Sequence, residues 1–213
     1  MEAATEQAVS SFAKSLFLGE IHEELVFPFP KPDPEEQDRI RSLIASLREM
    51  PYDAKKIEED RWIGDDTIAE LGERGLLGLY VPEEYGGQAL SQTGYCRVSE
   101  VFAQIDATLS VVMGVHQSIG MKGIVLYGTD EQKDRFLPDL ASGRKLAAFA
   151  LTEPNAGSDV AGMETRAERQ SDGSWRVDGM KHYIGNGSKA GVLVTFAQTG
   201  EQKYTAFILE PDM

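Results

Sequence analysis

Apolar residues recur three and four positions apart through the first two-thirds of the chain, then gather into short runs, which predicts helices followed by strands. In "SSFAKSLFLGE", Phe12, Leu16 and Phe17 share one helical face. "PFPKPDP" reads as a non-helical connector, because prolines lack the amide that a helix interior needs. In "DPEEQDRIRSLIASLREMP", Asp33 is an N-cap, Pro34 takes the first helical position and Glu36 completes a capping-box pattern. Ile40, Leu43, Ile44 and Leu47 then recur at helical spacing up to Pro51.

Residues 53–74 read as one charged helix with Ile57, Ile63, Ile68 and Leu71 turned inward and Gly75 as its stop. "LYVPEEYGG" reads as an ordered loop anchored by Leu79, Tyr80 and Tyr85. Two more helices are predicted at 91–106 and 108–127, the second nearly apolar and therefore central. "TDEQKDRFLPDLASG" carries a second capping box in Thr129 and Gln132, and its helix is expected to break or kink at Pro138. After Gly143 the strand candidates are "KLAAFAL", "METRAER", "SWRVDG", "KHYIG", "AGVLVTFAQ" and "KYTAFILE", with turns at "SDG" and "TGE". "VDGMKHYIGNGSKAGVLVTFA" reads as strand, Gly-rich turn, strand. The fold class is thus α+β: a helical domain over 1–146, then an incomplete antiparallel β domain over 147–213.

Composition narrows the function. At 41% hydrophobic residues a packed core forms, and a net charge of −14 argues against nucleic acid, whose phosphates need clustered Lys and Arg. It leaves open an anionic ligand held by backbone N–H groups. Cys96 is the single cysteine, so neither a disulfide framework nor a Cys-rich zinc site forms within the chain. Acidic residues interrupt the first twenty positions, so no signal-peptide apolar region is expected. "ATLSVVMGVHQSIGMKGIVLYG" is as long as a membrane span, but it carries His116, Gln117 and Lys122 and reads as a buried helix.

Common catalytic patterns are missing: no GxGxxG after a strand, no P-loop, no GxSxG elbow. His22, His116 and His182 lack metal spacing and read as structural. Ser158–Asp159 has no histidine nearby in sequence and is not a triad. The remaining candidate is "AFALTEPNAGSDVAG". An apolar run ends at Thr152, whose hydroxyl can bond a heterocycle; Gly157 lets a ligand approach bare backbone and Ser158 suits a phosphate. An ordinary strand-ending turn explains the same residues. Tyr183, beside Gly185–Asn186–Gly187, is a platform for a flat ring or a half-buried sheet tyrosine.

"ALTEPNAGSDVAGMETRAE" followed by "VDGMKHYIGNGSKAGVLVTFA" resembles the flavin-binding signature of the acyl-CoA dehydrogenases. "LGERGLLGLYVPEEYGG" and "GVHQSIGMKGIVLYGTDEQKDRFLPDLASG" extend the resemblance upstream, toward the very-long-chain branch, so that it covers the chain from about Ser11. The resemblance implies a helical N-terminal domain and the first part of a middle β domain, with FAD as cofactor. Phe149, Leu151 and Thr152 then line the flavin ring, with Thr152 at its pyrimidine end. Gly157 and Ser158 meet the pyrophosphate or the acyl-CoA thioester arm, which makes Ser158 a substrate contact as well. Tyr183 replaces an aromatic that covers one flavin face, and Ile184 and Gly185 continue along the ring edge. Gly185 is a departure: the family usually carries Thr or Ser there.

The implied reaction oxidises the Cα–Cβ bond of a fatty acyl-CoA, a glutamate taking the α-proton while the β-hydrogen leaves as hydride to flavin N5. The resemblance puts that glutamate in a C-terminal helical domain that this sequence lacks, and gives Glu153 no such role. No catalytic residue is therefore assigned, and the chain is expected to be an inactive N-terminal portion. Tyr85 and Ile119 stand where they line an acyl chain or belong to the core, with core the reading taken. Implied partners are an electron-transferring flavoprotein and further copies of the complete protein as a homo-oligomer. The implied compartment is a bacterial cytoplasm or the mitochondrial matrix. The alternative is a non-catalytic interaction protein that retains a remnant flavin motif.

Overall fold

A computed structural model describes residues 11–213; the first ten, which belong to the expected helical domain and to the signal-peptide reading, lie outside the described residues. Helix α1 (Phe12–Phe17) forms at the expected place, but its apolar face is not covered: Phe17 is 94% exposed. Helix α2 (Pro34–Arg48) starts where Asp33 accepts the Glu36 N–H at 2.8 Å. The rest of the expected capping box is replaced by a tertiary contact. The buried Glu36 carboxylate accepts the Ser91 N–H at 2.6 Å and ties α2 to the start of α5 (Gln92–Ile105).

The single helix expected over 53–74 is two, α3 (Ala54–Asp60) and α4 (Asp65–Glu73). Arg61 ends the first in the left-handed region (φ 51°), and extended Gly64 caps the second. Gly75 (φ 70°) then closes α4 in a Schellman arrangement, with Gly75 N–H on Gly72 O and Leu76 N–H on Leu71 O, both at 2.9 Å. Pro138 does not break α8 (Asp130–Ala141); it sits within the last turns, and the Thr129–Gln132 capping box holds the other end.

Residues 107–127 run as one helix made of α6 (Ala107–Gly114), a π segment (Val115–Met121) and α7 (Lys122–Tyr127). By length and composition it could cross a membrane. Its polar residues instead fasten one face into the core. Gln117 accepts the Leu79 N–H at 2.7 Å and donates to Leu76 O at 3.0 Å. The expectation of a central helix holds only for that face: Val111, Ile119, Leu126 and Tyr127 are exposed on the other. Ile119 is therefore not core, whereas Tyr85 is half-buried against an apolar cluster that includes Val81, Phe136 and Leu137.

The sheet comprises β1 (Leu146–Ala150), β2 (Arg166–Arg169), β3 (Trp175–Asp178), β4 (Ala190–Gly200) and β5 (Lys203–Leu209). It is mixed, not antiparallel throughout. β1 pairs parallel with β4 (Leu146 with Ala190, Ala150 with Thr195), and β2 meets β4 in parallel at Arg166–Gln198. β1 and β2 thus lie end to end along one edge of β4, while β5 runs antiparallel on the other. The expected hairpin across "VDGMKHYIGNGSKAG" does not form. β3 pairs back onto β2, and "KHYIG" is a loop rather than a strand. Tyr183 (φ 55°) and Asn186 (φ 60°) occupy the left-handed region, which a strand cannot contain.

Helices and sheet share a core. Val81, Met121, Ile124, Phe136, Leu137 and Leu140 form one apolar cluster with Ala147, Val192 and Val194 of the sheet. The π segment reaches β1 at Gly120, where an added Cβ would lie 2.7 Å from Ala147 Cβ and 2.9 Å from Val115 O. Gly120→Ala is therefore expected to lower stability by about 1–3 kcal/mol through overpacking, despite alanine's higher helix propensity. A raised thermal midpoint would contradict the close approach.

Candidate functional site

The two loops that leave β1 and β3 meet at one rim of the sheet. His182 N–H donates to the Thr152 carbonyl at 2.8 Å, so Tyr183 comes directly after the residue bonded to Thr152. Lys181 Nζ donates to the Leu151 carbonyl at 3.1 Å and lies 2.7 Å from Glu153 Oε1. Glu153 also accepts the backbone N–H groups of Glu164 and Thr165. Burial works against ionisation of this carboxyl. Lys181 and the two backbone amides outweigh it and hold the pKa down to about 2.

The first loop then turns tightly. Glu153 N–H donates to Ala156 O at 2.9 Å, and Ala156 N–H returns to Glu153 O at 3.3 Å. Gly157 and Ser158 stand at the exposed tip, where a Cβ on Gly157 would meet nothing within 4 Å. In the second loop Tyr183 is 85% exposed, its ring stacked on His182 with centroids 3.8 Å apart. It is thus not a half-buried sheet tyrosine. Asn186 Nδ2 donates to Val112 O at 3.0 Å and fastens this loop to α6. Ile184 is half-buried beside it; Gly185 is exposed, and a Cβ there would come 3.0 Å from Val115 Cγ2.

Next to the rim lies an apolar groove of about 490 Å³ between the sheet and the open face of the π segment and α7. Phe149 lines it from β1 and packs on Phe196 at 5.0 Å, facing Ile119, Leu126, Tyr127 and Ile208. Phe149, Leu151 and Thr152 thus run from groove to rim, and Tyr183, Ile184 and Gly185 return beside them. Sequence reasoning missed Glu153, Lys181 and Asn186, which join the loops to each other and to the helices. No periodicity marks a pair 28 positions apart, and a Glu within a turn reads as solvated. His116, within the π segment, is a fully buried, hydrogen-bonded ring, whereas His22 is paired only with exposed Glu24 and Glu20. Cys96 is exposed. Among the described residues no cluster of His, Cys, Asp and Glu could hold a metal.

Fold and rim together define an α+β protein in which a helical unit and a partial mixed sheet share a core and carry two joined loops beside an apolar groove. Comparison of the sequence refines that class. Residues 34–144 match the profile "Acyl-CoA dehydrogenase, N-terminal domain" and residues 148–213 match "Acyl-CoA dehydrogenase, middle domain". The chain belongs to the acyl-CoA dehydrogenase family.

It is 41% identical over 214 residues to the very long-chain specific acyl-CoA dehydrogenase, mitochondrial, of Mus musculus, covering 94% of this chain and 33% of that relative. A probable acyl-CoA dehydrogenase of Mycobacterium tuberculosis is 39% identical over 95% of this chain and 32% of its own length. The chain thus spans about a third of the length of the curated relatives it matches. Among solved structures it resembles an acyl-CoA dehydrogenase complexed with FAD from Bacillus anthracis (TM-score 0.77, 35% identity, 91% of this chain and 33% of that one). It also resembles butyryl-CoA dehydrogenase from Megasphaera elsdenii (TM-score 0.76, 32% identity, 85% of this chain and 50% of that one).

Proposed function

We propose that this chain supplies the helical wall and the flavin-facing rim of an FAD-dependent enzyme that oxidises fatty acyl-CoA to the 2,3-enoyl-CoA. The observation that carries the reading is the hydrogen bond from His182 N–H to Thr152 O, which brings both motif loops to one place. The rim suits a flavin: an exposed stacked tyrosine offers a flat face, and open backbone at Gly157 beside the Ser158 hydroxyl admits a phosphate. Phe149, Leu151 and Thr152 would hold the ring from one side, Tyr183, Ile184 and Gly185 from the other, and Gly157 and Ser158 the phosphates, with Ser158 also reaching the substrate arm. When bound, FAD supplies the hydride-accepting chemistry.

The apolar groove takes the acyl chain in this reading, with Phe149, Ile119 and Leu126 excluding water along it. The 213 residues include no group assigned as the base, so this stretch alone is expected to be inactive. An electron-transferring flavoprotein is the proposed electron acceptor, and a bacterial cytoplasm or the mitochondrial matrix is the proposed compartment.

Titration tests the reading. FAD is added to the purified chain, alone and joined in frame to the segment C-terminal to the matched region in the Bacillus anthracis relative. A stoichiometric yellow complex is expected, and a colourless protein in both formats overturns the reading. Tyr183→Ala is expected to weaken FAD binding by about 1 kcal/mol, roughly fivefold in Kd, with an unchanged urea midpoint, because the ring is exposed.

A further inference from the structure

Among the described residues, Glu153 and Lys181 form the most buried ion pair, with side chains 2% and 11% exposed. It occupies an unusual place. By reaching both the Leu151 carbonyl and the Glu153 carboxylate, the Lys181 ammonium straddles Thr152, whose own carbonyl is taken by the next residue, His182. Glu153 is held from behind by the Glu164 and Thr165 amides at the entry to β2. Its backbone starts the tight turn that leads to Gly157 and Ser158. Lys181 stands two residues before Tyr183, which keeps a positive φ that a bulky residue holds only where its surroundings impose it. One buried contact therefore fixes the start of each loop relative to the other.

We propose that Glu153 and Lys181 form a clip that sets the separation of the two rim loops and so the fit of the flavin between them. The proposal rests on the reading of these loops as the flavin rim. Both are positioning residues, since their head groups meet protein partners and act on the cofactor only through Thr152 and Tyr183. A pair serving stability alone would shift the unfolding midpoint and leave the rim of the folded protein unchanged. A clip predicts a loosened rim in protein that is still folded.

Lys181→Met leaves a buried carboxylate unpaired and risks unfolding, so the decisive variant is Glu153→Gln/Lys181→Met, which removes both charges. Lys181→Arg keeps the cation and tests rescue. Without cofactor, hydrogen exchange at the His182 amide is expected to quicken about tenfold or more in the double variant, while Val192 and Val194 in β4 stay within about twofold. With FAD, in the format that binds it, Kd is expected to rise about tenfold, and Lys181→Arg to recover most of that loss. Unchanged His182 exchange in the folded double variant overturns the clip, whether or not FAD binds. Faster exchange with unaltered FAD affinity overturns its link to the cofactor. Wild-type protein that binds no FAD in either format overturns the rim reading and that link together, and the exchange result then judges the clip alone.

Discussion

Leucine in place of His116 is expected to cost about 2–5 kcal/mol of stability, read as a lower urea midpoint with an unchanged slope. The ring is fully buried. Its Nδ1 accepts the Ala147 N–H at 2.9 Å, and its Nε2–H donates to Leu140 O at 3.1 Å, so one side chain joins the π segment, β1 and α8. Leucine matches the bulk but leaves both backbone groups buried without partners, each costing about 1–3 kcal/mol. The same ring makes stability depend on pH. Burial pushes its pKa down to about 4, against the ordinary 6.5. Below pH 6.5 the unfolded ring takes up a proton, and the folded ring resists until near pH 4. Stability is therefore full above about 6.5 and falls through that window by up to about 3 kcal/mol. His116→Leu flattens this part of the curve. Wild-type stability that stays level from about pH 7 to 5 would contradict a buried neutral ring.

Glu153→Ala is expected to cost about 3–5 kcal/mol at pH 7, because it strands a buried ammonium and strips the acceptor from two backbone amides. Its pH signature lies below that of His116. The folded carboxyl titrates at about 2, below its ordinary 4.5, so its contribution is complete above 4.5 and drains away as pH falls toward 2. The alanine variant loses this lower window and keeps the upper one, whereas His116→Leu does the reverse. Urea midpoints at about pH 7, 5 and 3 separate them. A Glu153→Ala protein as stable as wild type at neutral pH would mean that the ion pair is not formed in solution.

Local chemistry made much of this protein readable. Asp33 with Pro34, and Thr129 with Gln132, mark helix starts because capping needs only residues a turn apart, and Gly75 marks a stop because its positive φ suits glycine best. The strands at 146–150 and 190–200 arise from short apolar runs. The candidate rim was legible as two motifs, but the means of joining them was not. Glu36 looked like a capping residue, yet its carboxylate goes to Ser91, a partner 55 positions away. "KHYIG" has strand composition but becomes a loop, because Lys181 and His182 are drawn to Leu151 and Thr152 instead of to a neighbouring strand. The helix predicted over 108–127 reads as nearly apolar and central, and only the packed structure shows which of its faces the groove leaves open.

Sequence by itself determined several helix starts and stops, such as Asp33, Thr129 and Gly75, and that strands come after the helices, since each depends on neighbours a few residues apart; it also marked the two stretches proposed as the flavin rim. Tertiary structure alone decided that β1 runs parallel to β4, that His116 locks the π segment to β1 and α8, and that Lys181 reaches Glu153. Those contacts join residues tens of positions apart, and their partners become adjacent only once burial of the shared core has folded the chain back on itself.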